Sequence, residues 1–209
     1  MIDYFQTSSG QLVTATLEHI ILSGLSLLIA LVLASAITIL LIFLPRLRQF
    51  SVYAVSLLYA IPSFALFALL IPWTGLGKGT AITALVIYAQ YTLVRTFLAG
   101  LTQIDPSILE AAIGMGMTKW QVFTKIQLPL AVPSIIAGIR LAATSIIAIA
   151  TIAATVNAGG LGTILFEGLR SMSLPKLVWG ILLTVTLSLI VNLILYLIEE
   201  IINEKDSAA

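Results

Sequence analysis

His19, the single histidine of the chain, stands directly beside Glu18, and this pair is the first place where residue types could support hydrolysis. A hydrolase set in a membrane needs a nucleophile with its base, or a metal cluster. The sequence has no Cys and no His-Glu-x-x-His pattern, so neither a thiolate site nor a helix-borne zinc pair can form. At the outer edge of an apolar run, Glu18 and His19 read as a polar boundary pair at the headgroup level. A second candidate is Gly75-Leu76-Gly77-Lys78-Gly79-Thr80, which has the look of a phosphate loop. Pro72, however, occupies the first Gly that the pattern needs, and Gly79 stands where Ser or Thr must follow the lysine. The stretch reads as a plain turn, so the chain is expected to be no enzyme and to need no cofactor or metal. None of the nine acidic residues falls at the middle of an apolar run, which argues against a proton-driven carrier and leaves sodium coupling through backbone carbonyls open.

These residues are spaced out by long apolar segments. Only 9% of the 209 residues are charged, against roughly 25% in soluble domains, and the mean hydropathy is +1.13. Five runs, at roughly 20–43, 51–72, 80–101, 134–156 and 177–198, are long enough to cross the bilayer, and lone segments in lipid must be helices. The expected fold is an all-α polytopic membrane protein in one transmembrane domain spanning 1–209, with lipid as its surroundings. The first run has no Lys or Arg before it and follows Asp3, so it is expected to be a retained span and not a cleaved leader. The acidic tail after Ile198 is expected to carry no sensor domain. A net charge of +1 with no basic stripe gives no case for nucleic acid. Lys and Arg bias places Arg46, Arg48, Lys119, Lys125 and Lys205 inside and Lys78, Arg170 and Lys176 outside, with the amino terminus outside and the carboxyl terminus inside.

One segment interrupts this pattern. Between the third and fourth runs, about 102–133, Asp105-Pro106 is a strong helix start and Gly114 and Gly116 a helix stop. Thr118 and Gln121 have capping-box spacing and restart a second short helix carrying Trp120, Val122, Phe123 and Ile126. Pro129 is expected to end it and Pro133 to introduce the next span. The product is a helix, glycine turn, helix element, too polar at Glu110, Lys119 and Lys125 to insert. It either packs on its own bundle through Ile108, Leu109, Ala112, Ile113 and Trp120, or docks a soluble partner, with Ala111 and Ala112 permitting close approach.

Asn157-Ala158-Gly159-Gly160-Leu161-Gly162 is expected to end the fourth span, followed by a short interfacial helix closed by Glu167 and Arg170. Arg95 and Arg140 either snorkel to headgroups or steady the interrupting element through Glu110 and Asp105. Ser63, Tyr88, Tyr91, Thr144, Ser145, Thr151 and Asn157 could line a polar path or bond between helices.

Glu110-Ala111-Ala112, three residues, Gly116, nine residues, then Ile126-Gln127-Leu128-Pro129 resembles the EAA motif of permease subunits of bacterial ABC importers. Residues 60–101 and 151–169 are similar to the osmoprotectant subgroup, which imports glycine betaine, carnitine, choline and related quaternary amines. The resemblance implies a type I (MetI-like) transmembrane domain in the inner membrane. It also implies two copies of a cytoplasmic ABC ATPase, a second permease copy or sister permease, and an extracytoplasmic solute-binding protein. Glu110, Ala111, Ala112, Gly116, Ile126, Leu128 and Pro129 would then couple to the ATPase. Asn157, Gly159, Gly160 and Gly162 would form an outer gate, and Ser63, Tyr91 and Thr151 would line the pathway. The alternatives are another small solute (an amino-acid derivative, a thiourea-type amine or a bile-acid-like compound) or a membrane scaffold that transports nothing.

Overall fold

The computed structural model describes residues 2–207, with side chains described for 4–202, so Asp3 and Lys205 lie outside the described side chains. Among the described residues nine α-helices follow one another: α1 (Ile2–Phe43), α2 (Arg48–Tyr59), α3 (Ser63–Thr74), α4 (Lys78–Thr102), α5 (Pro106–Gly114), α6 (Lys119–Val122), α7 (Leu128–Ala150), α8 (Leu161–Arg170) and α9 (Leu174–Ser207). Among the described residues four helices are long and apolar enough to cross a membrane: α1, α4, the run ending in α7, and α9.

The fifth expected span is broken. The 51–72 run divides into α2 and α3, which meet at 96°. Pro62 is the cause, since it biases Ile61 away from the helical region and brings no N–H of its own. The backbone oxygen left at Ile61 accepts the Tyr88 hydroxyl from α4. α1 also departs from the expectation, beginning eighteen residues before position 20. Its early turns are too polar to read as a span, but Leu12 and Ala15 bury against Leu161 and Ile164 of α8, with Trp179 and Leu183 of α9 alongside. Tertiary packing carries the helix past the point where hydropathy stops indicating it.

α4 is the central helix, touching α1, α2, α3 and α7. Ala81, Ala84, Leu85, Leu93 and Val94 on it are fully buried. Helices in lipid associate through close backbone approach, and α4 and α7 do so at Gly138, where an added Cβ would lie 2.1 Å from the Thr96 hydroxyl. α9 keeps Leu182, Val185, Leu189 and Leu193 exposed, an apolar face suited to lipid. Arg140 of α7 pairs with Glu199 of α9 at 3.0 Å and lies over the Tyr196 ring. Of the two readings open for Arg140, the pairing with Glu110 or Asp105 is therefore not found, since its carboxylate partner is Glu199. Arg95 likewise turns to Tyr91.

Candidate functional site

The interrupting element has two capped halves. Asp105 caps α5 by accepting the Ser107 N–H at 2.9 Å, and the neighbouring Ser107 bonds hold its carboxyl below the usual carboxylate range. α5 stops in a Schellman arrangement: Met117 N–H donates to Ala112 O at 3.2 Å and Gly116 N–H to Ile113 O at 2.9 Å, with Gly116 at φ +81. Thr118 then accepts the Gln121 N–H at 3.3 Å while Gln121 Oε1 accepts the Thr118 N–H at 2.8 Å, completing the expected capping box.

Beyond α6 the chain does not break. Residues Phe123–Gln127 form a π turn that runs directly into α7, so Pro129 lies in the first turn of that helix and Pro133 inside it. Pro129 has no N–H for the Lys125 carbonyl, and the wider turn at its N-terminal side accommodates this loss. Gln127 ties the junction to α4 by donating to Leu101 O at 3.1 Å.

α6 and the turn after it are anchored by Trp120 stacked on Phe43, by Phe123 edge-on to the same ring, and by buried Val122. α5 is not. Ala112 alone among its residues is buried, Leu109 is half-buried, and Glu110 and Ala111 are exposed together with Ile108 at 43% and Ile113 at 62%. Ile126 is half-buried, whereas Leu128 and Pro129 are exposed. The geometry therefore gives a rigid two-helix element that leaves one apolar face and one carboxylate uncovered by its own chain.

At the other end of α7 the last turn tightens. Thr151 N–H donates to Ala148 O at 3.3 Å, and a 3₁₀ stretch, Ile152–Val156, precedes Asn157 in the left-handed region. The span thus ends at Ala150, before the glycine stretch expected to stop it. The Ile147 carbonyl instead accepts the Nε2–H of His19 at 3.0 Å, and His19 is fully buried. Glu18 accepts the Gly160 N–H at 2.9 Å. Glu18 therefore holds the 157–162 segment and His19 the last turns of α7, so the two side chains tie α1 to both sides of this joint. Sequence reasoning missed this, and the only signal was the unusual adjacency of two polar residues in an apolar setting. Gly159 is half-buried, Gly160 and Gly162 are buried, and Asn157 is exposed. α8 follows, but Glu167 pairs with Lys176 of α9 at 3.1 Å, not with Arg170.

The expected path residues are only partly brought together. Tyr91 stacks on Tyr59 at 4.5 Å beside the Ala60–Pro62 break, and Ser63 starts α3 just past it. Thr151 turns its hydroxyl onto Ala148 O of its own helix at 2.7 Å, as Thr144 does onto Arg140 O at 3.1 Å.

Comparison with known proteins gives this arrangement a setting. A carnitine transport permease protein, OpuCB of Listeria monocytogenes, is 36% identical over 200 residues, covering 95% of this chain and 91% of that one. A glycine betaine/carnitine/choline transport system permease protein, OpuCB of Bacillus subtilis, is 30% identical over 98% of this chain and 94% of its own. The fold is similar to a chain in an inward-facing structure of the MetNI methionine ABC transporter, with a TM-score of 0.86 at 21% identity, covering 94% and 98% of the two chains. The family of binding-protein-dependent transport system inner membrane components matches residues 26–205. Through that match, over most of its length, the chain belongs to this family of multi-pass ABC transporter permeases.

Proposed function

We propose that the chain is the permease subunit of an ATP-driven importer for osmoprotectants of the quaternary-amine class: glycine betaine, carnitine, choline or close relatives. The observation that carries the coupling part of this reading is α5, capped at both ends yet fully buried by its own chain at Ala112 alone. Glu110, Ala111 and the exposed apolar residues beside them form a surface for a cytoplasmic ATPase, with Gly116, Ile126, Leu128 and Pro129 holding the element's shape and its junction with α7. The names of the relatives support the substrate class.

In this reading the whole chain is one transmembrane domain with its coupling loop at about 102–133, the amino terminus outside and the carboxyl terminus inside. Two ATPase copies serve two permease subunits, either identical or sisters, and an extracytoplasmic binding protein delivers solute. ATP binding draws the two α5–α6 elements together and turns the bundle outward; hydrolysis resets it. Asn157, Gly159, Gly160 and Gly162 sit at the outer joint, where α7 meets α8.

The test is uptake of radiolabelled glycine betaine, carnitine and choline into cells that lack this permease and keep its partner subunits. These are complemented with the intact chain or with Glu110→Arg, at low and high osmolarity and at equal membrane abundance. Uptake restored by the intact chain and lost in the charge-reversed one supports the reading. Uptake of none of the three by a chain that still co-purifies with an ATPase discards the substrate class, and unchanged uptake in Glu110→Arg discards the docking role.

A further inference from the structure

The joint between α7 and α8 is held by α1. Within about two turns of that helix, Leu12 and Ala15 pack on Leu161 and Ile164 of α8, Glu18 accepts the Gly160 N–H at 2.9 Å, and His19 donates to Ile147 O of α7 at 3.0 Å. Both arms of the joint are thus fastened to one rod, and the joint bends only when a fastening is released.

The His19 bond takes a carbonyl out of the helix ladder. In a continuing α-helix Ile147 O would accept the Thr151 N–H, four residues on. That N–H donates instead to Ala148 O at 3.3 Å, and the chain goes on as a 3₁₀ stretch from Ile152 to Val156. The tightened turn and the histidine are therefore two halves of one arrangement. Thr151 stands at φ −61 and ψ −32, near α-helical values, so its backbone needs little change to rejoin the ladder. His19 is itself incompletely satisfied, since its Nδ1 is buried with no donor facing it among the described residues. Exchanging the His19 bond for the Thr151 bond keeps Ile147 O paired throughout.

We infer that His19 is a positioning residue of an outer switch whose two settings are these two donors on Ile147 O. With His19 in place the joint is closed. When α7 moves, His19 leaves, the Thr151 N–H takes Ile147 O, and the following residues pass from 3₁₀ toward α geometry. Each residue converted shortens the chain by about 0.5 Å and turns it by about 20°. Thr151 O lies 1.9 Å from where a Cβ on Gly162 would stand, so the shift reaches α8 directly and draws 157–162 off Glu18. The drive enters at the opposite end, because Lys119–Ala150 is one continuous helical run that begins in the α5–α6 element. The inference rests on the importer reading above and gives its outer joint a trigger.

The chain has no Cys, so one introduced thiol is read by mass spectrometry of this chain within the complete importer. Ala158→Cys puts it at a buried position inside the joint, and Thr14→Cys, at an exposed one, gives the reference rate. Without nucleotide, His19→Leu is expected to raise labelling at 158 about 10-fold, the loss of one hydrogen bond. His19→Gln, whose amide N–H stands as many bonds from the backbone as the histidine Nε2–H, is expected to restore the parent rate. A non-hydrolysable ATP analogue should raise labelling in the parent and add little in His19→Leu, which is already switched. Thr151→Pro removes the N–H that the second setting needs, at a φ that already suits proline, and should keep position 158 protected with the analogue bound. It tests the exchange from the other side should His19→Leu fail to assemble. Unchanged labelling in His19→Leu overturns the proposal, as does parental labelling of Thr151→Pro with the analogue bound. So does a rise that His19→Gln shares, or one to which the analogue adds its full parental factor, since either describes a joint loosened without a switch. If the analogue leaves the parent unchanged, the ATP-driven reading of the importer has failed, while the nucleotide-free comparison of His19→Leu with His19→Gln still decides the switch.

Discussion

The turn before α6 and the turn before α8 use one backbone device. Each ends a helical stretch with a left-handed residue, Gly116 at φ +81 and Asn157 at φ 63, and each closes with a pair of backbone bonds, one reaching back three residues and one five, in place of the four-residue helix ladder. Their surroundings differ. A Cβ added at Gly116 or Gly114 meets nothing within 4 Å, whereas one at Gly162 would lie 1.9 Å from Thr151 O, one at Gly159 2.5 Å from Glu18, and one at Gly160 3.0 Å from His19. The same punctuation thus serves an open surface at one end of α7 and a closed joint at the other. At Gly116 the glycine supplies conformation; at Gly162 it supplies space.

Gly162→Ala should break the closed joint most severely. The atom it would strike is a backbone carbonyl, which cannot swing aside as a side-chain tip can. A cost of about 3 kcal/mol or more is expected, in the range of overpacked cores, with a large fall in the amount of monodisperse protein extracted from membranes. A Gly162→Ala chain as abundant and as heat-resistant as its parent would show that α8 is free to shift, and the joint would then be no more closed than the turn at Gly116.

Gly116 gives the matching experiment on the open side. Gly116→Asn should be tolerated within about 1 kcal/mol, since Asn adopts the left-handed region and its Cβ finds open space. Gly116→Trp should leave membrane abundance close to the parent's and yet abolish uptake, because the ring occupies the surface beside Glu110 that a partner must approach. If Gly116→Trp lowers abundance as far as Gly162→Ala does, the two turns are alike and the contrast fails.

What could be read in advance follows the range of the interaction. The Asp105 cap and the Thr118–Gln121 box join residues two and three apart, so residue type and spacing suffice to place them. The clasp of Glu18 on Gly160 and of His19 on Ile147 spans 142 and 128 residues, and no local pattern encodes it. Pro129 was legible as a helix stop and Pro133 as a helix start, but not as members of one continuous helix, because the accommodating π turn depends on how Gln127 is held by α4. The partners of Arg95, Arg140 and Glu167 were missed for a related reason. Each was sought along the chain or on the neighbouring loop, whereas Arg140 and Glu167 reach across to α9, and Arg95 stays on its own helix because Tyr91 lies one turn away.

The smallest expected effect sharpens the open side further. Asp105 is exposed at the start of α5, where its ionised carboxylate accepts the Ser107 N–H and faces the positive end of the helix. Its folded pKa is depressed below the unfolded value, so the stabilisation it gives is complete above the ordinary carboxylate range and is lost as pH falls through the depressed value. Hydrogen exchange at the first turn of α5 should therefore quicken as pH is lowered from about 6 to about 3, after correction for the intrinsic rate. Asp105→Asn keeps an acceptor oxygen and removes the titration, so its corrected exchange should be flat over that interval. Asp105→Ala should exchange fast throughout. Because α5 gains so little from packing on its own chain, the cap is a large part of what holds its first turn. A turn that stayed protected in Asp105→Ala would mean that α5 is covered after all, and the open surface would have to be sought elsewhere on the element.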